Sequence, residues 1–393
     1  MNTYAIAADY IFDGWRVHEA ASVVIEGSEI TAVRPQSELP ADLSIHRLAR
    51  GAWLAPGFID LQVNGGGDIL FNNSTTPDTI ITIAAAHRRF GTTGILPTFI
   101  TDTRGKTKAA VTAAQQAMKR EPSILGIHLE GPHLSPEKAG VHHPDLIRVP
   151  DDADLEMLCA DREGKLLVTL APERVPTGFI TQLVAAGCLV SLGHSAATYE
   201  ETCSAMAEGL NGFTHLFNAM SPLCSREPGP IAAALESSDA WYGLIVDGWH
   251  VSPAMLRLAL RGLGHPMLVT DAMPLVGGCR SGFQLYGREM QVVGGRCLRP
   301  DGTLAGAALN MATAVRNCIN FLHVSLQDAL RFASRNPAEF IGVGHHLGKL
   351  APGYRADIVA FDPDTLTVLE TWVAGADRRQ GPLASAESTS RGN

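Results

Sequence analysis

Eight short apolar runs recur along the middle of the chain, at 58–63, 94–99, 124–130, 166–171, 188–194, 212–215, 243–247 and 266–271. Segments with helical spacing lie between them. Most of the runs are near-continuous rather than alternating, the pattern of strands covered on both faces, as in parallel sheets. Thr76-Pro77 opens one intervening helix, which runs to about Arg89 with proline at its first position and Gly91 just past its end. Thr198-Tyr-Glu-Glu201 is a capping box that starts another. Repeated strand–helix alternation predicts an α/β fold, a (β/α)8 TIM-like barrel over residues 54–344. The competing arrangement is an open doubly wound sheet; no G-x-G-x-x-G follows the first run to support it.

The two ends of the chain differ from this middle. Residues 4–53 carry short alternating pieces, Ser22-Val-Val-Ile-Glu26 and Glu29-Ile-Thr-Ala-Val33, separated by turn residues. Residues 348–374 repeat the style, with Gly348-Lys-Leu-Ala-Pro-Gly353 leading into Asp357-Ile-Val-Ala-Phe361. Both read as antiparallel β structure. Such pieces on either side of a barrel predict a small β-sandwich domain built from both chain ends, 1–53 with 345–380, followed by a loose tail at 381–393.

At 393 residues the chain can bury both cores, and its 46% hydrophobic and 18% charged content is that of a soluble globular enzyme. The net charge of -9, without any local Lys/Arg cluster, excludes the basic footprint of a nucleic-acid binder. Seven cysteines without a C-x-x-C pair read as buried thiols from a reducing compartment. No basic start precedes an apolar run, and no stretch nears the roughly 18 apolar residues of a membrane span. A cytoplasmic protein with no membrane partner is the expectation. His87, with Arg88-Arg89, closes a helix where cations suit the dipole.

Four polar side chains stand at the carboxyl ends of these runs: Glu130, His194, His215 and Asp271. Ile127-His-Leu-Glu130-Gly-Pro132 ends a strand in a carboxylate and then turns. Alone, Glu130 reads equally well as a helix cap, and a lone histidine after a strand is more often a satisfied core group than a ligand. Three such donors at the same end of three strands favour a metal instead, because Zn²⁺ and its neighbours take imidazole nitrogen and carboxylate oxygen and leave a position for water. Asp271 is then placed to take and return a proton.

Gly57-Phe-Ile-Asp60, His128-Leu-Glu-Gly-Pro132, Gly193-His-Ser195, Thr214-His-Leu-Phe-Asn-Ala-Met220, Asp247-Gly-Trp-His250 and Leu268-Val-Thr-Asp271 occur in the order and at the spacings of one family. The chain resembles the N-acetylglucosamine-6-phosphate deacetylases of the amidohydrolase superfamily over essentially its whole length. The resemblance implies one divalent metal ion per subunit on Glu130, His194 and His215, Zn²⁺ first and Fe²⁺, Co²⁺ or Mn²⁺ after it. It implies that Asp271 is the general acid/base and that His142 helps to polarise the amide. It places Asn218, Ala219, Arg226 and His250 against a sugar phosphate, Val141 and His142 on the substrate, and Leu304, Ala305 and Gly306 in a loop over it. It further implies a homodimer in which Arg226 or His250 reaches the neighbouring site. The implied reaction releases acetate from a phosphorylated amino sugar. A cyclic-amide or N-acyl-amino-acid hydrolase of the same superfamily is the close alternative, and a catalytically silent barrel the distant one. One departure stands out. Where many amidohydrolases carry His-x-His after the first strand, this chain has Gln62-Val-Asn64, and neutral amides predict an empty or weakly filled second metal position.

Overall fold

The computed structural model describes residues 3–377. The eight expected runs are eight parallel strands: β1 Phe58–Val63, β2 Thr92–Ile100, β3 Gly126–Glu130, β4 Lys165–Leu170, β5 Leu189–Leu192, β6 Gly212–Phe213, β7 Trp241–Leu244 and β8 His265–Leu268. They hydrogen-bond in sequence order. β1, β2 and β3 are buried along their whole length, which is why they read as continuous apolar runs. Val63 bridges in parallel to Ala272 and closes the circle. The fold is therefore a (β/α)8 barrel, not an open sheet.

The helices follow their local signals. The Thr76 hydroxyl accepts from the Thr79 N–H at the start of helix Pro77–Arg88. Thr198 and Glu201 form the reciprocal capping box of helix Tyr199–Ala207. His87 and Arg88 do fall in the last turn of the first of these helices. His87 is buried, and its Nε2 lies 2.9 Å from the Gly65 carbonyl. Arg88 is buried too and pairs with Glu121 at 2.8 Å. His87 is held by the Gly65 carbonyl below it, and Arg88 remains a last-turn cation with a buried carboxylate partner.

The terminal pieces come together in a single sheet. Thr3–Phe12, Val17–Glu26, Glu29–Pro35, Ser44–Arg47 and Trp53–Pro56 join Ile358–Phe361, Val368–Val373 and Ala376–Asp377 in one eight-stranded sheet. Its seam is the antiparallel pairing of Trp53–Pro56 with Ile358–Phe361. A separate apolar core, including Ile6, Ile11, Val23, Leu54, Ile358 and Trp372, fills it. The expected tail at 381–393 lies outside the described residues.

One element was not anticipated. After β8 the chain forms a four-stranded antiparallel sheet from Gly282–Leu285, Arg288–Val293, Arg296–Leu298 and Leu304–Ala307. Its first two turns are Tyr286-Gly287 and Gly294-Gly295, all four residues at positive φ, the requirement of tight type I′ hairpins. The Gly-Gly pair between alternating residues was the available signal.

Burial pushes the His87 imidazole down to about 4. The unfolded chain binds that proton near pH 6.5, so the stabilisation is complete above 6.5 and is lost as pH falls through about 4. The loss amounts to roughly 3 kcal/mol. His87→Gln, which keeps a donor for the Gly65 carbonyl but does not titrate, should flatten denaturation midpoints measured between pH 7 and pH 4. An unchanged slope would remove His87 from the acid response.

Candidate metal centre and cleft

Glu130 is the last residue of β3, and the chain must turn sharply after it. Gly131 has φ 86°, and a Cβ there would sit 2.3 Å from Thr101 Oγ1, so only glycine fits. β5, β6 and β8 stop short of the expected ends. His194, His215 and Asp271 lie beyond them in left-handed backbone, at φ 48°, 34° and 49°. That conformation is incompatible with a strand and swings the chain over the barrel mouth.

The turns bring three donors together. Glu130 Oε1 is 3.2 Å from His194 Nε2 and 3.0 Å from His215 Nε2. The two Nε2 atoms are 3.1 Å apart. All three residues are buried. His194 Nδ1 lies 2.8 Å from the Lys138 carbonyl and must donate to it, which leaves Nε2 as a bare lone pair facing the cluster. Three buried acceptor atoms so close together carry too few protons to satisfy one another, whereas a cation satisfies all three. The donor set of two imidazoles and one carboxylate suits Zn²⁺, Fe²⁺, Co²⁺ or Mn²⁺. Burial pushes the Glu130 carboxyl up, but the adjoining His194 and His215 outweigh it and hold it well below the usual carboxylate range.

Gln62 and Asn64 do more than decorate the rim. Gln62 Nε2 donates to Glu130 Oε1 and to Asp271 Oδ1, each at 3.2 Å. Asn64 Nδ2 donates to the same Asp271 oxygen at 2.7 Å. Two carboxylates that would otherwise repel are bridged by neutral amides. Even so, burial first and the Glu130 charge second push Asp271 up to about 6.

His142 Nδ1 accepts from the Thr101 N–H at 3.3 Å and lies 2.7 Å from the Thr101 hydroxyl. This fixes the tautomer, so Nε2 carries the proton. Burial, then the neighbouring His194, lowers its basicity well below an ordinary histidine and keeps the ring a neutral donor. His250 is oriented by Asp247, with Nδ1 to Oδ2 at 2.6 Å.

A cleft of about 330 Å³ opens over the cluster, the size of a small-molecule site. Glu130, Val141, His142, His194, His215, Asn218, Ala219, His250, Asp271, Leu304 and Gly306 line it. Ala305 does not, because Leu304–Ala307 is a strand rather than a loop. Its side-chain alternation turns Leu304 and Gly306 to the cleft and Ala305 into a small apolar core behind. Arg226 is exposed on the loop after Met220, outside the cleft of its own chain. Ile100, Lys138 and Met273 also line the cleft and carried no chemical signal in the sequence.

The amidohydrolase family profile matches residues 53–380. An N-acetylgalactosamine-6-phosphate deacetylase of Shewanella sp. (strain ANA-3) is 44% identical over 342 residues, 86% of each chain. An N-acetylglucosamine-6-phosphate deacetylase of Haemophilus influenzae is 35% identical, covering 92% of this chain and 96% of its own. The crystal structure of N-acetylglucosamine-6-phosphate deacetylase from Pasteurella multocida superposes with a TM-score of 0.91 at 36% identity, covering 96% of this chain and all of the other. The chain belongs to the amidohydrolase family.

Elemental analysis after dialysis against excess divalent metal should find about one ion per chain bound to the cluster. Glu130→Gln and His194→Ala should each lose it, and should also lose the rise in melting temperature that added metal produces. Stoichiometric metal retained by both variants would place the ion elsewhere.

Proposed function

We propose that this chain hydrolyses the acetamide of N-acetylglucosamine-6-phosphate, releasing acetate and glucosamine-6-phosphate. The carrying observation is the convergence of Glu130, His194 and His215 on one point, with Asp271 held beside it by Gln62 and Asn64. The names of the similar enzymes support the choice of substrate. A divalent cation on the three donors, Zn²⁺ first among the candidates, would supply Lewis acidity to the amide carbonyl and lower the pKa of water. Asp271 takes the proton of the attacking water and passes it to the nitrogen as the C–N bond breaks. His142 donates its Nε2 proton as a hydrogen bond to the developing oxyanion. Asn218, Ala219 and His250 line the part of the cleft that receives the phosphate. Arg226 is exposed in its own chain, so the proposal includes a homodimer in which a second copy supplies it. All seven cysteines are free, which supports a reducing, cytoplasmic setting.

A second reading concerns only the C4 epimer. The 44% identity to an N-acetylgalactosamine-6-phosphate deacetylase favours the galacto sugar as substrate. Acetate release from the two epimers, compared as kcat/KM, decides between them. No release from either would refute the deacetylase reading.

Four outcomes test the roles. Asp271→Asn should lower kcat by about 10²–10⁴-fold with metal still bound; near-normal turnover would exclude the proton route. Asp271 must be ionised to act as base, so kcat/KM should fall below a pH of about 6. Asn64→Ala removes a hydrogen bond that favours the carboxylate and should move that acid limb upward. Arg226→Ala should raise KM for the phosphorylated sugar far more than for its unphosphorylated parent; equal effects would remove Arg226 from the phosphate.

A further inference from the structure

We infer that Ile100 and Met273 form the wall that restricts the acyl group of the substrate to two carbons, so that this chain selects among N-acyl amino-sugar phosphates by acyl length. The inference rests on the deacetylase reading and adds to it the part of the substrate that reading leaves open.

The barrel order determines where each end of the substrate lies. Asn218 and Ala219 follow β6, and His250 follows β7. In a closed ring of eight strands β2 faces β6 across the mouth. Ile100 is the last residue of β2, and Met273 lies just past Asp271 after β8. An amide places its acyl carbon chain on the far side of the carbonyl carbon from the nitrogen. With the sugar and its phosphate toward β6 and β7, the acyl chain points toward β8, β1 and β2.

On that side Ile100 and Met273 give the cleft an apolar lining beside the polar Asn64 and Asp271. Ile100 is 2% exposed and Met273 1%, yet both line the cleft. Behind them lies the small core of the unexpected antiparallel sheet, with Leu70, Phe283, Leu285 and Met290. Methionine usually adapts to its surroundings, but here it is pinned. The Met273 N–H donates to the Ala307 carbonyl at 2.9 Å. Gly306, at φ +63°, approaches so closely that a Cβ there would lie 2.8 Å from both Cγ and Cε of Met273. A methyl group meets this wall; each further methylene must displace packed side chains rather than water.

The test uses the metal-loaded full chain and N-formyl, N-acetyl, N-propionyl and N-butyryl glucosamine-6-phosphate, with release of the free amine as readout. Wild type should lose roughly 10–200-fold in kcat/KM for each methylene beyond acetyl. Met273→Ala and Ile100→Ala should each raise the butyryl-to-acetyl ratio of kcat/KM by about tenfold or more. A general loss of structure lowers all four substrates together and leaves these ratios unmoved. If the alanine variants do not fold, Ile100→Val should raise the propionyl-to-acetyl ratio. Ratios unchanged in every folded variant, or a wild type indifferent to acyl length, would overturn the inference while the deacetylase reading stands. No amine from any of the four substrates in wild type would overturn both.

Discussion

The seam between the first and eighth strands is the constraint on which the site depends. β8 ends at Leu268, and the next residues reach β1 through side chains as well as backbone. Asp60 accepts from the Thr270 hydroxyl at 2.5 Å and from the Thr270 N–H at 3.2 Å. On the other side of Asp271, the Ala272 carbonyl accepts from the N–H groups of Asn64 and Gly65, both at 2.9 Å. Asp271 is thus the middle residue of a three-residue staple whose flanks are both tied to the first strand. Asp60 is fully buried, and burial pushes its carboxyl up to about 7 despite the Thr270 bonds. Removing it would leave the Thr270 N–H without an acceptor inside the barrel, at a cost of about 1–3 kcal/mol, while the Thr270 hydroxyl would keep the Gln62 carbonyl at 3.3 Å.

A barrel strand alone could not aim these side chains. Strand residues alternate between the barrel axis and the helical layer, so a ligand at a strand end is limited to one direction. The left-handed backbone at His194, His215 and Asp271 releases that limit, at roughly 1–3 kcal/mol each. The surrounding hydrogen bonds hold the strained turns in place. The Ser195 N–H donates to the Ala219 carbonyl at 3.0 Å, and the Leu216 N–H to the Gly243 carbonyl at 2.8 Å. The barrel supplies rigidity, and the residues just past its strands convert it into convergence.

The barrel was legible because burial on both faces writes itself into composition. The terminal β structure was legible because short alternating pieces separated by turn residues recur at both ends. The site was legible where a charged or imidazole side chain interrupts an apolar run, as at Glu130, His194 and His215. What escaped was set by tertiary packing. Nothing local marks His87 as buried beneath Gly65, nor Arg88 as paired with Glu121. The antiparallel sheet after β8 has short strands of mixed polarity, and only its glycine turns announce it. Ile100 and Met273 look like ordinary core residues, because a pocket wall made of aliphatic side chains has the same local pattern as a core. The acceptor that orients His194 is a backbone carbonyl, Lys138, which no residue-type reading could have found.

The replacement of His-x-His by Gln62 and Asn64 has a consequence for proton transfer. A second cation beside Asp271 would draw its carboxylate into coordination and depress its basicity. Amide N–H groups stabilise the carboxylate too, but as dipoles rather than a full charge, so Glu130 and burial still dominate and hold Asp271 near 6. That is a range from which a carboxyl group can accept a proton from water and return it to an amine within one turnover. Gln62 also touches Glu130, so one amide keeps the two carboxylates apart in role: one tied to the imidazoles, the other free to titrate. The Asn64 amide tempers the rise that burial and Glu130 impose on Asp271 without bringing a full charge to it.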